Sequence, residues 1–366
     1  MTTAPAPTTE RTVVRTHIPL TSGHLPAWSP WALLAGSLAV IGAIFAVLSV
    51  AAGSEFSLAG WLILSVVAYL VLIYAISRIV EGARRAFDRL ITGIVSGAFA
   101  IAMVPLVSVA WTVISNGLAR FDATFFSSSM RGVLGEGGGA VHAIWGTILI
   151  TGAAAIISIP IGLMTAVYLI EYGQTSRLGK AITFLVDVMT GIPSIVAGLF
   201  AYALFALIFG PGVRMGFAGA IALSVLMIPV VVRSSEEMLR LVPNELREAS
   251  YALGVPKWLT IVKVVLPTSI AGLTTGVMLA IARVIGETAP LLITAGFTDS
   301  LNMNLFDGRM QTLPVYIYSQ YAYKGIPPEA YVDRAWAAAL TLILIVMALN
   351  LIARIVAKVF SPKTGR

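Results

Sequence analysis

Residues 233–267 read RSSEEMLRLVPNELREASYALGVPKWLTIVKVVLP and lie between two long apolar segments. Glu236 and Arg240 stand four residues apart in the order that supports a helix. Pro243 then interrupts the helical pattern, and a second short helix is predicted over residues 245–253. The segment is therefore too regular for a simple connector between two apolar segments.

The second short helix has a predicted end. Gly254 stands where a helix C-cap glycine belongs, and Pro256 prevents the helix from continuing. Apolar residues resume and end at Pro267. A short helix with a sharp stop suits a rigid knob on which a soluble motor docks. The alternative is an amphipathic helix on the lipid headgroups, but the short helix carries acids as well as bases and lacks a broad apolar face.

Composition places the chain in the membrane. Of 366 residues, 58% are hydrophobic and 11% are charged, with a mean hydropathy of +0.92. Soluble domains carry about 25% charged residues. The sequence has no cysteine, and its three histidines are scattered without metal-binding spacing, so no metal site is predicted.

Eight membrane spans are predicted, because each needs roughly 20 mostly apolar residues. The first span is too long for a signal peptide and follows a polar, Pro/Thr-rich tail (residues 1–30) that we expect to be disordered. The fold class is thus an all-α polytopic membrane protein. The predicted spans are 31–52, 58–79, 91–114, 141–170, 181–209, 216–232, 268–296 and 336–360.

The distribution of Lys and Arg predicts the orientation. With the N-terminus in the cytoplasm, the inside segments hold 17 of these residues and the outside segments hold 6, while Arg283 lies in a span. Positive residues concentrate on the cytoplasmic side. Both termini, including a short tail at 361–366, are therefore predicted to be cytoplasmic.

Two long outside loops are predicted, at residues 115–140 and 297–335. The second carries four acidic residues and five tyrosines. It is either an interfacial aromatic belt with a solvated loop or a docking surface for an extracytoplasmic partner. GEGGG (135–139) is interpreted as a flexible linker into the fourth span.

The segment Glu248-Ala249-Ser250, three residues, Gly254, nine residues, and Val264-x-Leu266-Pro267 resembles the EAA loop of ABC importer permeases. Ser250 and Val264 are conservative departures from its E-A-A-x3-G-x9-I-x-L-P pattern. The resemblance implies that this segment is the coupling helix that fits a cleft on an ATPase subunit. The coupling residues it implies are Glu245, Glu248, Ala249, Gly254 and Pro267.

The chain carries no phosphate-binding loop of its own. The nearest segment, GQTSRLGKA (173–181), has five residues between its glycines instead of four, and Ala181 stands where Ser or Thr should hold magnesium. We therefore expect no cofactor and no catalytic residue on this chain. ATP and magnesium would be bound by a separate ATPase.

Arg283 and Glu287 interrupt the apolar run that contains the seventh predicted span. A charge at mid-membrane costs roughly 2.5–3.5 kcal/mol. Four residues apart, the two side chains would share one helix face and could pair. The pair is either a structural bridge that faces neighbouring helices or part of an anion site, since an Arg fork suits tetrahedral oxyanions.

The fifth predicted span contains DVMTGIPSIVAGLF (187–200), and its Gly-x-Pro is expected to kink it and to open a lined cavity. Asp187, Thr190 and Ser194 flank this kink and are candidate pathway residues. Arg233, at the cytoplasmic end of the sixth span, is either an exit-gate contact or a positive-inside anchor.

IPSIVAGLF, RSSEEML and RVIGETAPLL together resemble phosphate-specific ABC permeases of the PstA type. The resemblance covers the six-span type I core (85–360) and implies that Arg233, Arg283 and Glu287, with the adjacent Thr288, serve phosphate passage. It also implies a PstC-type permease, two ATPase subunits and an extracytoplasmic phosphate-binding protein as partners. The hairpin 31–80 is an addition without an assigned role.

Two other functions stay open at this point. Sulfate or molybdate could replace phosphate as the oxyanion. An ion-coupled secondary transporter is less favoured, because the sequence shows no convincing inverted repeat and carries the EAA-like segment.

Overall fold

The computed structural model describes residues 23–360, and every regular element in that range is helical. The predicted tails at 1–30 and 361–366 therefore lie outside the described residues, apart from 23–30. The α-helices are α1 (Ser29–Ala52), α2 (Leu58–Val80), α3 (Ala83–Gly117), α4 (Ala123–Ser127), α5 (Val141–Val167), α6 (Arg177–Thr190), α7 (Ser194–Phe209), α8 (Gly216–Arg240), α9 (Asn244–Ala252), α10 (Lys257–Thr260), α11 (Leu266–Val284), α12 (Ala289–Thr294), α13 (Leu313–Ala322) and α14 (Pro328–Phe360).

Within residues 23–360, seven helices are long and apolar enough to cross a membrane, which confirms the polytopic all-α class. An eighth span exists if α6 and α7 are counted as one. These two helices meet at an angle of 108° around residues 191–193. The predicted kink is therefore present, and it is sharp enough to divide the segment into two helices.

The predicted bounds of the sixth and seventh spans are wrong. α8 continues through the expected loop start to Arg240, and the next membrane helix already begins at Lys257. That helix ends at Val284, so the predicted single span 268–296 is broken before α12. Pro267 lies inside this helix, directly after a π-helical turn at Ile261–Val265. The wider turn accommodates the missing N–H and the bulk of the proline ring.

The chain divides into two units, Met1–Val109 and Ala110–Arg366. In the first unit, α1 and α2 form the predicted tight hairpin. Gly53 ends α1 at φ +61°, which favours glycine. The indole Nε1 of Trp61 donates a 2.9 Å hydrogen bond to the carbonyl oxygen of Leu38 across the hairpin.

In the second unit α8 is the central helix, with α5, α7 and α11 packed around it. Small residues bring the backbones close. A Cβ placed at Gly162 of α5 would lie 2.7 Å from Val231 Cγ1, and one placed at Gly276 of α11 would lie 2.6 Å from Ser234 Oγ. This packing places the C-terminal ends of α5 and α8 and the N-terminal end of α11 together, beside α9.

The two outside loops pack against each other at the opposite end of this unit. Arg334 of α14 is fully buried and donates to the carbonyl oxygens of Gly135 (2.6 Å) and Gly137 (3.0 Å) and to Gln320 Oε1 (2.9 Å). Arg120 Nη2 donates to the carbonyl oxygen of Gly138 at 3.0 Å. The GEGGG segment is thus a fixed turn, and its interpretation as a flexible linker is wrong.

The tyrosines of the second outside loop do not form one belt. Tyr316 is fully buried, whereas Tyr318, Tyr321 and Tyr323 are exposed. Burial of Tyr316 raises the pKa of its phenol well above the usual value. The loop therefore contains a buried anchor as well as an exposed aromatic surface.

Candidate functional site

The coupling segment is a separate short helix, α9, held between the ends of α8 and α10. The predicted helix at 245–253 is confirmed within one residue at each end. Glu245, Glu248 and Ala249 are exposed. Large apolar side chains beside them are also exposed: Leu241 (72%), Leu253 (85%) and Trp258 (62%). Such an exposed apolar group rimmed by charges is typical of a protein-interaction surface.

An ion pair fixes α9 to the π-helical turn Tyr168–Tyr172, which continues α5. Nε and Nη2 of Arg247 both lie 3.0 Å from Glu171 Oε1, and the two side chains are 12% and 5% exposed. Arg247 Nη1 also donates to the carbonyl oxygen of Val242 (2.7 Å), and Nη2 donates to that of Leu239 (3.1 Å). Lys257 Nζ contacts the carbonyl oxygen of Glu171. Glu171 of this turn therefore contacts both Arg247 of α9 and Lys257 of α10.

The turn after α9 has the geometry that the sequence predicts. Gly254 has φ +75°, and its N–H donates to the carbonyl oxygen of Tyr251 at 2.9 Å. Val255 N–H donates to the carbonyl oxygen of Ser250 at 3.2 Å. These bonds satisfy carbonyl groups at the helix end. The hydroxyls of Ser250 and Thr260 are 2.8 Å apart and buried, which ties α9 to α10.

Arg233 and Asp187, two of the predicted pathway residues, form an ion pair between α8 and α6. Arg233 Nη1 also lies 2.7 Å from Glu236 Oε2. The side chain of Glu236 is 5% exposed, and that of Asp187 is 60% exposed. Both terminal nitrogens of the Arg233 guanidinium are thus paired with carboxylates of the same chain.

A cavity of about 570 Å³ lies beside this ion pair. Asp187 and Glu236 line it together with two cationic residues, Lys180 and Arg240, and with Thr183. It also contacts the turn after α5 through Gly173. The cavity therefore extends from the Arg233–Asp187 pair, the candidate gate, to the turn after α5 that contacts α9.

Arg283 and Glu287 do not pair, so of the two alternatives for these residues the structural intrahelical bridge is absent. α11 ends at Val284, and Glu287 lies in the break before α12, where its N–H donates to the carbonyl oxygen of Val284 at 3.1 Å. Arg283 is exposed and has no hydrogen-bond or ion-pair partner among residues 23–360. An unpaired guanidinium on a membrane helix requires a polar surrounding outside the residues that the structure describes.

The two sequence motifs around the helix breaks meet in space. A Cβ placed at Gly198 of α7 would lie 2.6 Å from Pro290 Cα of α12, so only glycine permits this approach. Ser194 begins α7, and Thr288 precedes α12. Thr190 is exposed at the end of α6, with its hydroxyl bonded to the carbonyl oxygen of Val186 at 2.9 Å.

The sequence does not predict two contacts of the candidate site, the pair of Glu171 with Arg247 and the pair of Glu236 with Arg233. Glu171 and Arg247 are 76 positions apart, and nothing in either local sequence indicates the other. The sequence indicates Glu171 only by its position, because it is an acidic residue directly after an apolar run. A carboxylate near the membrane boundary needs a partner when it is buried.

Comparisons with known proteins agree with this geometry. The sequence profile of the family described as binding-protein-dependent transport system inner membrane component matches residues 158–366. The chain is 48% identical over 276 residues to the phosphate transport system permease protein PstA 1 of Mycobacterium tuberculosis (strain ATCC 25618 / H37Rv), which covers 75% of this chain and 88% of the relative. It is 42% identical to PstA of Pasteurella multocida (strain Pm70) over 67% of this chain and 85% of the relative.

Solved structures share the fold at low identity. A chain of a bacterial alginate ABC transporter in complex with an alginate pentasaccharide-bound periplasmic protein superposes with a TM-score of 0.53 at 14% identity, over 79% of this chain and 100% of that chain. A second alginate ABC transporter structure gives 0.50 at 13% identity, over 77% and 98%. The fold is therefore that of ABC importer permeases, and the chain belongs to the PstA family of phosphate transport system permease proteins.

Proposed function

We propose that this chain is one permease half of an ATP-driven phosphate importer. The observation that carries the proposal is the coupling helix α9, which is exposed on its outer face and is bonded to the turn after α5, to the end of α8 and to α10. Its partners would be a homologous PstC-type permease, two cytoplasmic ATPase subunits and an extracytoplasmic phosphate-binding protein. The 48% identity to a phosphate transport permease supports phosphate as the substrate.

The coupling step follows from the contacts of α9. A soluble ATPase that moves α9 also moves the end of α5, because the buried Arg247–Glu171 pair joins them. The end of α8 moves as well, through the bond from Arg247 to Leu239. ATP and magnesium would act on the ATPase alone, and no covalent chemistry would take place on this chain.

The cytoplasmic gate would be the Arg233–Asp187 pair. In the present conformation Nη2 of Arg233 is paired with Asp187 and Nη1 is paired with Glu236, so the two nitrogens are not free to bind phosphate together. A displacement of α6 relative to α8 would separate Arg233 from Asp187 and release one side of that fork. Because a pore must also release its anion, a cation moderated by carboxylates suits the site better than a free one.

Arg283 would contribute to the pathway from the surface that meets the second permease. Its guanidinium is exposed and unpaired within residues 23–360, next to Glu287, which is half-buried. Burial against lipid would leave this charge uncompensated. A water-filled path between two permeases would solvate it and would place a bidentate anion ligand on the phosphate route.

The binding protein would dock on the outside loops. Leu134 and Ile326 are 94% and 91% exposed, and a Cβ placed at Gly135 would lie 2.9 Å from the carbonyl oxygen of Ile326, so the two side chains stand on adjoining turns. Arg334 holds the turn beneath them. With this surface outside, α9 and both termini would be cytoplasmic, as the Lys and Arg distribution predicts.

Reconstitution tests the proposal directly. The chain, the second permease and the ATPase would be inserted into liposomes with binding protein outside and ATP inside, and uptake of labelled phosphate and sulfate would be measured. We expect ATP-dependent phosphate uptake and no sulfate uptake. Uptake that persists without the ATPase would overturn the ABC assignment, and preferential uptake of sulfate or molybdate would overturn the substrate.

A paired substitution tests the docking surface. Leu134→Asp and Ile326→Asp should remove stimulation of the ATPase by the binding protein while basal ATP hydrolysis persists. The control is Leu253→Asp at the coupling end, which should instead lower basal hydrolysis. Full stimulation in both outer variants would refute this docking surface.

A further inference from the structure

We propose that the N-terminal unit binds one anionic phospholipid in a cavity between α1, α2 and α3. The cavity has a volume of about 860 Å³, within the range of roughly 300–1,000 Å³ that is typical of ligand sites. One end is polar and contains His24, Arg85 and Arg89. The walls are apolar and include Leu34, Val66 and Ile73.

The polar end of the cavity lies at the level of the lipid headgroups. α2 ends at Val80 and α3 begins at Ala83, and both helices are long enough to span the membrane. Trp28 and Trp31 at the start of α1 are 67% and 74% exposed, as is typical of interfacial tryptophans. Trp31 itself lines the cavity.

The charges at this end favour an anion. Arg85 Nη1 lies 3.0 Å from His24 Nδ1, and no carboxylate pairs with Arg85 in the part of the chain that the structure describes. Arg89 is neutralised by Glu81, with Nε to Oε2 at 2.6 Å and Nη2 to Oε1 at 2.8 Å. One further carboxylate, Asp88, lines the cavity. Arg84, the neighbour of Arg85 in the sequence, is a second exposed cation outside the lining.

The apolar part of the cavity runs down α3 into the membrane. Thr92, Gly93, Ser96, Gly97 and Ala100 line it. From Arg85 to Ala100 is 15 residues, about 22 Å along a helix. That length reaches from the headgroup level into the hydrocarbon of one leaflet, whose full bilayer core is roughly 30 Å thick.

This combination selects an amphiphile over other ligands. A soluble phosphate would use only the polar end and would leave the apolar slot empty. A packed protein helix would fill the slot but would offer no phosphodiester to Arg85. A phospholipid places its phosphate at the guanidinium and one acyl chain along Gly93 to Ala100, so it matches both parts. Cationic residues at the cytoplasmic headgroups attract anionic lipids.

Native mass spectrometry of the full-length chain in mild detergent tests the site. The probes are phosphatidylglycerol, phosphatidylcholine with the same acyl chains, and inorganic phosphate. Gly97→Leu fills the slot without a clash, because a Cβ there meets nothing within 4 Å. Arg85→Gln removes the free cation. The matched controls are Gly36→Leu, which is equally open but outside the cavity, and Arg78→Gln.

We expect one phosphatidylglycerol to bind in the unaltered chain and in both controls. Its affinity should fall about tenfold or more in Arg85→Gln, which loses a charge-assisted hydrogen bond, and in Gly97→Leu, whose side chain occupies the acyl-chain slot. Equal binding of phosphatidylcholine would refute the preference for an anionic headgroup. Competition by inorganic phosphate at equal concentration would show that the site binds free phosphate instead of a lipid. Unchanged lipid binding in both cavity variants would overturn the site. If the Gly97→Leu chain no longer binds the second permease while its lipid binding is unchanged, the cavity holds a helix of that protein instead of a lipid.

Discussion

Arg247 of the coupling helix and Glu171 in the π-helical turn that continues α5 form a largely buried ion pair, with both Nε and Nη2 of the arginine 3.0 Å from Glu171 Oε1. It is the polar contact through which α9 reaches the helix that packs most extensively along α8. Removing one partner of a buried pair leaves an uncompensated charge, which costs about 3–5 kcal/mol.

We expect Glu171→Gln and Arg247→Gln each to reduce ATP-driven uptake strongly while membrane insertion persists. Exchange of the charges in Glu171→Arg/Arg247→Glu should recover part of the loss, because the pair is restored. The measurement is phosphate uptake against ATP hydrolysis in proteoliposomes. Equal loss in the exchanged variant and the single variants would mean that the pair does not carry the coupling.

Gly254→Asp should detach or uncouple the ATPase. The residue has φ +75°, which L-amino acids rarely adopt, so any side chain strains the turn that ends α9. Gly212→Ala is a matched control, since it also has positive φ (+84°) but lies away from α9. Co-purification of the ATPase with each variant gives the readout, and normal assembly and uptake in Gly254→Asp would remove α9 from the coupling interface.

Arg283→Leu should abolish phosphate uptake while the complex still assembles, because the exposed guanidinium has no hydrogen-bond or ion-pair partner within residues 23–360. Arg283→Lys should retain only part of the activity, since lysine keeps the charge but loses the bidentate fork. Uptake assays with size-exclusion chromatography separate transport from assembly. Normal uptake in the leucine variant would exclude Arg283 from the pathway.

Gly198→Leu should destabilise the second unit by about 1–3 kcal/mol, the usual cost of overpacking, and should lower uptake. The added side chain would collide with the backbone of Pro290 and displace α12. Gly152→Leu in α5 is the control, because a Cβ there meets nothing within 4 Å. Thermal unfolding in detergent should separate the two variants, and equal midpoints would contradict the close approach.

We expect the stability of the N-terminal unit to fall at acid pH because of Glu81. The hydrogen bonds from Arg89, opposed by burial and aided by Ser77 and Leu25, lower the pKa of Glu81 to about 2 from 4.5. A lowered pKa gives stability that is fully present above pH 4.5 and is lost as the pH falls through about 2. Thermal unfolding of the chain and of Glu81→Gln should therefore converge below pH 4.5. A constant difference down to pH 2 would contradict this assignment.

The sequence predicts features that depend on neighbours along the chain. Apolar runs of about 20 residues predict membrane helices, Gly191 and Pro193 predict the break between α6 and α7, and Gly254 predicts the end of α9. Each of these signals acts within one or two helical turns, so periodicity and helix breakers suffice to find them. The EAA-like segment adds the family, because its spacing is also local.

The tertiary structure decides which charged groups meet. Arg233 pairs with Asp187, 46 positions away, whereas Arg283 and Glu287, four positions apart, stay separate because α11 ends between them. The apolar run around Arg283 predicts one continuous span, whereas in the structure α11 ends at Val284 and the separate helix α12 packs against Gly198. Ion pairs between helices depend on the crossing and depth of those helices, which local sequence does not encode.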